Sequence, residues 1–282
     1  MSNKLILKSR AKVNIGLKII NKRPDGLHNI QTLFQEIKLH DTITIEKLDS
    51  GCTFISNVDW LDDSMDNLCV KAFTLMRDTY DIGGLSIKLK KIIPPGGGLG
   101  GGSSNAAAII KGLNQLHKLN ISTKGLESLC SQMGADVPFF IKGGIQLGEG
   151  TGGVLTEVSK KLEGFFLLII PSFQISTRWA YSQTKRILEE VRKEVNFKCS
   201  IEKEVVPFKL FENDFESIID PSYPEIGVLK DTLRANKARH ASLSGSGSTV
   251  YAIFDDEADA KSAELHFNKS HITFITSPYF EG

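Results

Sequence analysis

The sequence predicts a mixed fold of strands and helices whose second half is a split βαβ, ferredoxin-like unit. Three observations lead there. Residues 11–19, AKVNIGLKI, alternate strictly: Ala11, Val13, Ile15, Leu17 and Ile19 share one face, and Lys12, Asn14, Gly16 and Lys18 the other. That is the period of a half-buried strand. LSIKLKKI reads as a second strand, and it runs through Pro94 and Pro95 into the glycine-rich stretch GGGLGGG and an amphipathic helix. From Phe165 onward the order is strand, helices, strand, strand, helix, strand.

The remaining elements follow in chain order. RPDGLHN is a turn marked by Pro24, Asp25 and Gly26. Residues 28–38 fit two readings: Ile30, Leu33, Phe34 and Ile37 make a helical stripe, but the flanks look extended. DTITIEKL and CTFISN are strands, and DNLCVKAFTLMRDTY carries Leu68, Ala72, Leu75 and Met76 at helical spacing. After the glycines, Ser103 or Ser104 is expected to cap a helix with Ile109, Ile110, Leu113 and Leu116 on its apolar side. A further helix carries Leu126, Leu129, Cys130 and Met133 and stops at Gly134. FFLLII is a buried strand, and a polar helix is expected over about residues 177–194. FKLFENDFESII and PEIGVLKDTLRA read as helices, HASLS and TVYAIF as strands, residues 259–267 as a helix and ITFITS as a strand. A boundary near residue 158 divides the chain into 1–158 and 159–282.

Composition narrows the function. The 282 residues are 41% hydrophobic and 24% charged, and 34 basic against 33 acidic residues leave a net charge of +1. Such a balance gives no general attraction to nucleic acid or membrane surfaces. Cys52, Cys69, Cys130 and Cys199 lie far apart, without metal-ligand or redox spacing, and read as reduced, mostly buried thiols. MSNKLILKSR lacks the apolar core of a signal peptide, and Phe165–Ile170 is too short to span a bilayer. A cytoplasmic location is the expectation.

The stretch PPGGGLGGGSSNAA, Pro94–Ala107, holds the chemistry. Glycine loses more backbone freedom on folding than any other residue, so six in seven positions call for a compensating role. Without Cβ atoms, consecutive N–H groups can turn together around an anion, and a helix N-terminus directly after them adds unpaired donors and positive dipole charge. Residues 96–101 satisfy GxGxxG, but a dinucleotide site belongs on the first strand–helix crossover with an acid about 20 residues on. This loop comes fourth or later among the strands, and its nearest acid is Glu127. A P-loop requires a lysine before the serine, which is absent. A flexible linker is rarely bracketed by a strand and an amphipathic helix. Phosphate binding is the reading that survives.

PPGGGLGGGSSNAA resembles the ATP-binding loop of the GHMP kinases. RAKVNIGLKI resembles their first motif and SLSGSGSTVYAIF, residues 242–254, their glycine-rich third. Within that superfamily RPDGLHNIQTLFQEI and GADVPFF are similar to the branch that acts on 4-diphosphocytidyl-2-C-methyl-D-erythritol. The resemblance covers nearly the whole chain in the right order. It implies an α+β fold, with an N-terminal domain like ribosomal protein S5 domain 2 and a ferredoxin-like C-terminal domain. It also implies transfer of the ATP γ-phosphoryl group to the substrate's 2-hydroxyl with Mg²⁺, in non-mevalonate isoprenoid synthesis, by a monomer or homodimer. A homoserine- or mevalonate-type kinase is the alternative, and a non-enzymatic nucleotide sensor would have no use for both Lys12 and Asp136.

The resemblance also assigns roles. Asp136, by its residues alone either a helix cap or a functional carboxylate, becomes the catalytic base. Lys12, otherwise a strand lysine, is placed beside that carboxylate, where it would keep it ionised and acidify the substrate hydroxyl. Pro94, Pro95, Gly96, Gly97, Gly98, Leu99, Gly100, Gly101, Gly102, Ser103 and Ser104 would hold ATP, with Asn67 and Leu68 bordering adenine. Asn67 fits a helix cap equally well. Asn14, His28, Leu27, Phe34, Thr177, Tyr181 and Gly245 would meet the cytidyl substrate, with Tyr181 as a stacking ring. Phe34 and Tyr181 also fit plain packing, and Gly245 and Gly247 also fit a hairpin turn. Two positions depart from the family's pattern: Leu27 stands where an aromatic often forms the other wall of the base sandwich, and Arg10 where proline is common. The sequence names no magnesium ligand beyond a loop serine hydroxyl.

Overall fold

The computed structural model describes residues 3–64, 66–189 and 196–280. Two long strands, β1 (Lys4–Lys22) and β2 (His28–Leu48), each contribute to both of two compact units. The first unit holds residues 1–11, 39–95 and 100–142; the second holds 12–38, 96–99 and 143–282. The units are therefore interleaved along the chain, and residue 158 falls within the second.

In the first unit, β4 (Gly84–Lys90) runs antiparallel to β2, from Thr42 opposite Lys90 to Leu48 opposite Gly84. On its other side β3 (Cys52–Ser56) runs parallel to it. Helices α1 (Leu68–Tyr80) and α2 (Gly101–His117) pack together, followed by α3 (Thr123–Ser131) and the one-turn α4 (Phe139–Lys142). Gly112 in α2 lets the helix lie close on the sheet: a Cβ there would come 2.6 Å from Leu7 and 2.8 Å from Ile45. Ser122 caps α3 by accepting the Gly125 N–H, and α3 ends at Ser131, before Met133 and Gly134.

In the second unit β5 (Ile145–Glu149) pairs antiparallel with β2, and β6 (Val154–Glu157) with β5. The remainder builds a four-stranded antiparallel sheet from β7 (Phe165–Ile170), β8 (His240–Leu243), β9 (Val250–Phe254) and β10 (Ile272–Thr276), in the order β10-β7-β9-β8. With helices between β7 and β8 and again between β9 and β10, this is the predicted ferredoxin-like order. The helices are α5 (Thr177–Ser182), α6 (Lys185–Glu189), α7 (Phe197–Ile201), α8 (Glu216–Ser222), α9 (Pro224–Ala235) and α10 (Glu257–Glu264). Leu167, Ile169, Phe215, Ile226, Leu233, Leu243, Val250 and Ala252 form the centre of its core.

Four local expectations change. Residues 28–38 are extended, and Thr32–Ile37 are buried throughout, the polar Thr32, Gln35 and Glu36 included, so both strand faces are covered and the period of two is lost. The helix expected over residues 177–194 breaks between Ser182 and Lys185, and residues 190–194 lie outside the described residues. FKLFENDFESII is not one helix: a 3₁₀ turn covers Phe208–Leu210, and Asn213 takes the Phe215 N–H with its side chain before α8 begins. Of the four thiols, Cys69 and Cys130 are buried, Cys52 is half-buried and Cys199 is exposed; all are free. Burial pushes the Cys69 and Cys130 thiols up to about 12, so neither is a nucleophile. Among the described residues no helix is long and apolar enough to cross a membrane.

Candidate active site

The glycine loop is held in place by the third glycine-rich motif. Gly96, Gly98 and Gly100 have φ of +71°, +76° and +67°, the left-handed region that side-chain-bearing residues avoid. Space is lacking as well. A Cβ on Gly97 would lie 2.6 Å from Thr249 Oγ1, and one on Gly98 would strike the Ser244 carbonyl oxygen. Ser244 Oγ donates to the Gly98 carbonyl (2.9 Å) and the Thr249 N–H to the Gly97 carbonyl (3.3 Å). Gly245 and Gly247 make the turn that offers these groups, with φ of +58° and +88°.

Gly100 is the N-cap of α2, so neither Ser103 nor Ser104 caps it as expected; both lie inside the first turn. The first helical bond runs from the Ser104 N–H to the Gly100 carbonyl (2.8 Å). The N–H groups of Gly101, Gly102 and Ser103 precede it and are the donors a helix start leaves for a ligand. No acidic side chain sits in this turn. Ser104 is turned inward: its buried hydroxyl accepts from Ser9 Oγ (2.7 Å). Ser103 is partly exposed.

Lys12 and Asn14 share a strand face, as alternation predicts, but that face is buried; Lys12 is 3% exposed. Lys12 Nζ donates to Asn14 Oδ1 (2.6 Å) and lies 5.3 Å from the centre of the Phe34 ring. Asn14 Nδ2 donates to Thr32 Oγ1 (2.8 Å), which donates to the Gly16 carbonyl. Both ends of the Asn14 amide thus serve to aim the ammonium. Phe34 is 1% exposed, and its ring fills the space beside Gly148, where a Cβ would come within 2.5 Å. The ring lies beneath Lys12, with its negative face toward the cation.

A second line of support reaches Asn14 through the backbone. Tyr251 Oη donates to the Asn14 carbonyl (3.0 Å) and lies 3.1 Å from His240 Nε2. Burial holds the Tyr251 phenol well above its ordinary range, so it remains a donor, and the His240 ring must supply Nε2–H to it. Burial, opposed by Glu216 and reinforced by Arg234 and Arg239, lowers the His240 pKa to about 4. The folded state therefore keeps this ring neutral where an unfolded histidine takes up a proton. Stability is lost as pH falls from about 6.5 to about 4, by up to about 3 kcal/mol from this group. Urea titrations of wild type and His240→Gln at several pH values check it. The variant should lose less stability across that window, and equal slopes would remove His240 as a source.

Asp136 lies in the turn between α3 and α4, half-buried, and is followed by the buried Val137, Phe139, Phe140 and Ile141. The Val137 N–H bonds to the Gly134 carbonyl (3.2 Å) and the Phe140 N–H to the Val137 carbonyl (3.2 Å). The backbone around this carboxylate is a fixed turn. Asn67 caps α1: its Oδ1 accepts the Cys69 N–H (2.9 Å) and its Nδ2 donates to the Asp62 carbonyl (2.6 Å). The capping reading is thus realised, and Leu68 is the first residue of the helix.

Of the residues expected at the cytidyl end, His28 and Tyr181 meet in the second unit. His28, the first residue of β2, stacks on Tyr181 with ring centres 4.9 Å apart and planes at 27°. Tyr181 in turn meets Phe215 edge-on. Thr184 Oγ1 donates to the Tyr181 carbonyl (2.9 Å) and lies 3.0 Å from His28 Nε2. Its single proton is spent on the carbonyl, so His28 carries hydrogen on Nε2 and leaves Nδ1 as an acceptor. Burial, aided by Lys22, lowers the His28 pKa and favours this neutral form. Thr177 Oγ1 lies 2.9 Å from Ser246 Oγ, joining α5 to the third motif. Leu27 is 55% exposed on a turn pinned by its N–H to Asp25 Oδ1 and by the Arg23–Asp25 ion pair. Sequence reading missed Thr184, because a threonine in a stretch read as polar helix carries no mark of its partner. It also missed Tyr251 and His240, whose roles depend on strand pairing.

Comparisons with known proteins identify the family. The GHMP kinases N terminal domain matches residues 67–144 and the GHMP kinases C terminal domain residues 208–272. A 4-diphosphocytidyl-2-C-methyl-D-erythritol kinase of Chlorobium chlorochromatii is 37% identical over 97% of this chain and 96% of its own. That of Lachnoclostridium phytofermentans is 38% identical over 98% and 97%. A solved 4-(cytidine 5'-diphospho)-2C-methyl-D-erythritol kinase superposes with a TM-score of 0.85 at 27% identity, covering 99% of this chain and 100% of that one. A homoserine kinase from Cytophaga hutchinsonii, with a TM-score of 0.74 at 16% identity over 99% of this chain and 96% of its own, shares the fold. By its motifs, its α+β architecture and these likenesses along nearly its whole length, the chain belongs to the 4-diphosphocytidyl-2-C-methyl-D-erythritol kinase family of the GHMP kinases.

Proposed function

We propose that the protein transfers the γ-phosphoryl group of ATP to the 2-hydroxyl of 4-diphosphocytidyl-2-C-methyl-D-erythritol. The observation that carries the ATP half is the steric one: the glycine loop packs so closely on the third motif that a single Cβ at Gly97 or Gly98 would collide with it, and it runs straight into the open N–H groups that start α2. Main-chain N–H groups of residues 96–103 would surround the phosphates, backed by the α2 dipole. Asn67 and Leu68, at the start of α1, would border adenine.

In the reaction the substrate oxygen bonds to the γ-phosphorus as the bond to the β-bridging oxygen breaks. The hydroxyl proton passes to the Asp136 carboxylate, and ADP leaves. Lys12, aimed by Asn14 and Phe34, would stabilise the negative charge that builds on the reacting oxygens. Phosphoryl transfer requires mainly such positioning and charge stabilisation. Among the described residues no group of three or more His, Cys, Asp or Glu is placed to hold a metal ion. Mg²⁺ would arrive with the nucleotide. The Ser103 hydroxyl would be the protein's ligand, and the ion would neutralise charge across the β- and γ-phosphates.

The cytidine end is supported by His28 and Tyr181. His28 Nδ1 would accept from the exocyclic amine of cytosine, Tyr181 would supply an aromatic surface, and Leu27 would cover the base without an aromatic quadrupole. Thr177 and Gly245 would line the diphosphate and erythritol portion.

ADP release from Mg-ATP, with and without the cytidyl substrate, tests the function. Stimulation by that substrate is expected, with competition by CMP; activity indifferent to CMP would point to another GHMP kinase specificity. Tyr181→Ala should raise the substrate KM about tenfold, in line with roughly 1–3 kcal/mol for a stacked base, with ATP KM unchanged. Substrate titrations at saturating ATP check it, and an unchanged substrate KM would confine Tyr181 to packing.

A further inference from the structure

Both ends of the glycine loop are tied to one buried carboxylate outside it. Asp41, on β2, is 0% exposed. Its Oδ1 accepts the N–H groups of Ile92 (2.7 Å) and Ile93 (2.8 Å), the residues just before Pro94. Its Oδ2 accepts from Lys91 Nζ and from Asn105 Nδ2 (3.0 Å), the latter in the second turn of α2. Asn105 Nδ2 also reaches Ser9 Oγ (2.8 Å), which donates to Ser104 Oγ. The four donors on Asp41 come from the chain entering the loop and the helix leaving it. The fit is close: a Cβ on Gly101 would lie 2.9 Å from both Lys91 Nζ and Ile93 Cγ2.

We propose that Asp41 is a positioning residue for ATP, setting the span of the glycine loop so that the Gly101–Ser103 N–H groups meet the phosphates together. The inference rests on the reading of this loop as the ATP site. Only a carboxylate fits the station. Two backbone donors, an ammonium and an amide N–H converge on its two oxygens, so an asparagine would satisfy Ile92 and Ile93 but turn its own NH₂ toward two other donors. It would also leave the 6%-exposed Lys91 side chain without its counter-charge. Relief comes by shifting Lys91 or α2, and either movement changes the loop span.

The test is steady-state kinetics of Asp41→Asn with each substrate varied in turn, beside direct ADP binding. The expected result is an ATP KM and an ADP Kd raised about tenfold, with the cytidyl-substrate KM unchanged, as for loss of one charge-assisted contact. A merely structural role would lower the active fraction and so kcat, leaving ATP KM where it was; that result overturns the proposal. Should Asp41→Asn fail to fold, Ser9→Ala decides. It removes only the link between Asn105 and Ser104, and a rise of about two- to threefold in ATP KM is expected. An unchanged ATP KM in that variant overturns the proposal. A wild-type protein that forms no ADP with the cytidyl substrate fails the functional reading instead, and ADP binding still reads the role of Asp41 at the loop.

Discussion

Asp136→Asn is expected to lower kcat by about 10²–10⁴ while the fold survives. The substitution keeps shape and hydrogen-bonding reach but removes the basic lone pair. The turn itself is held by backbone bonds of Val137 and Phe140 and by the buried Phe139, Phe140 and Ile141. Lys12→Met should likewise lose kcat more than ATP affinity. Methionine fills the stem's place over Phe34, and Asn14 Oδ1 is left without the ammonium it aims. If Lys12 and Asp136 serve one transition state, the double variant costs much less than the product of the single losses. Single-turnover measurement of phosphoryl transfer at saturating ATP and substrate checks all three. Near-wild-type turnover in Asp136→Asn would remove it from the mechanism, and multiplicative losses would assign the two residues to separate steps.

How much of this was readable in the sequence depends on how local each determinant is. The glycine loop and the strand carrying Lys12 and Asn14 are visible because their period and composition are properties of adjacent residues. So is the ferredoxin-like order of the second half, which needs only the succession of elements. Residues 28–38 stayed ambiguous because burial on both faces erases the alternation that marks a strand. The α2 start was misplaced by three or four residues because serine is the commoner cap, while here Gly100, at φ +67°, ends the loop and starts the helix in one residue.

Side-chain partners were less readable, since they are set by tertiary pairing. Alternation put Asn14 on the polar strand face, and the family resemblance made it a substrate ligand. Its amide proves to be shared between Lys12 and Thr32, the latter 18 residues away. Phe34 belongs to an apolar stripe on either reading of its segment, and only the register of β2 against β5 seats it against Gly148 under the lysine. Asp41 carries no local signal at all, because its donors come from residues 91–93 and 105. Nothing near it in sequence distinguishes it from any aspartate at a strand edge.

The steric argument at the loop makes its own demanding prediction. Gly98→Ala should cost about 2–4 kcal/mol of stability and raise ATP KM more than tenfold, with the cytidyl-substrate KM little changed. Two independent penalties act at this position. At φ +76° an L-residue bears backbone strain of about 1 kcal/mol or more. A Cβ would also run into the Ser244 carbonyl oxygen, which is backbone and cannot rotate aside. Relief requires the loop to lift from the third motif, breaking the bond from Ser244 Oγ to the Gly98 carbonyl and carrying the phosphate-facing N–H groups with it. Gly26 is the control. Its φ of +84° imposes similar strain, but a Cβ there meets nothing within 4 Å. Gly26→Ala should therefore lose only the strain energy and keep ATP KM. Urea denaturation and ATP titrations on the two variants separate the effects. Equal ATP KM values for both would show that close packing between the loop and the third motif does not govern nucleotide binding.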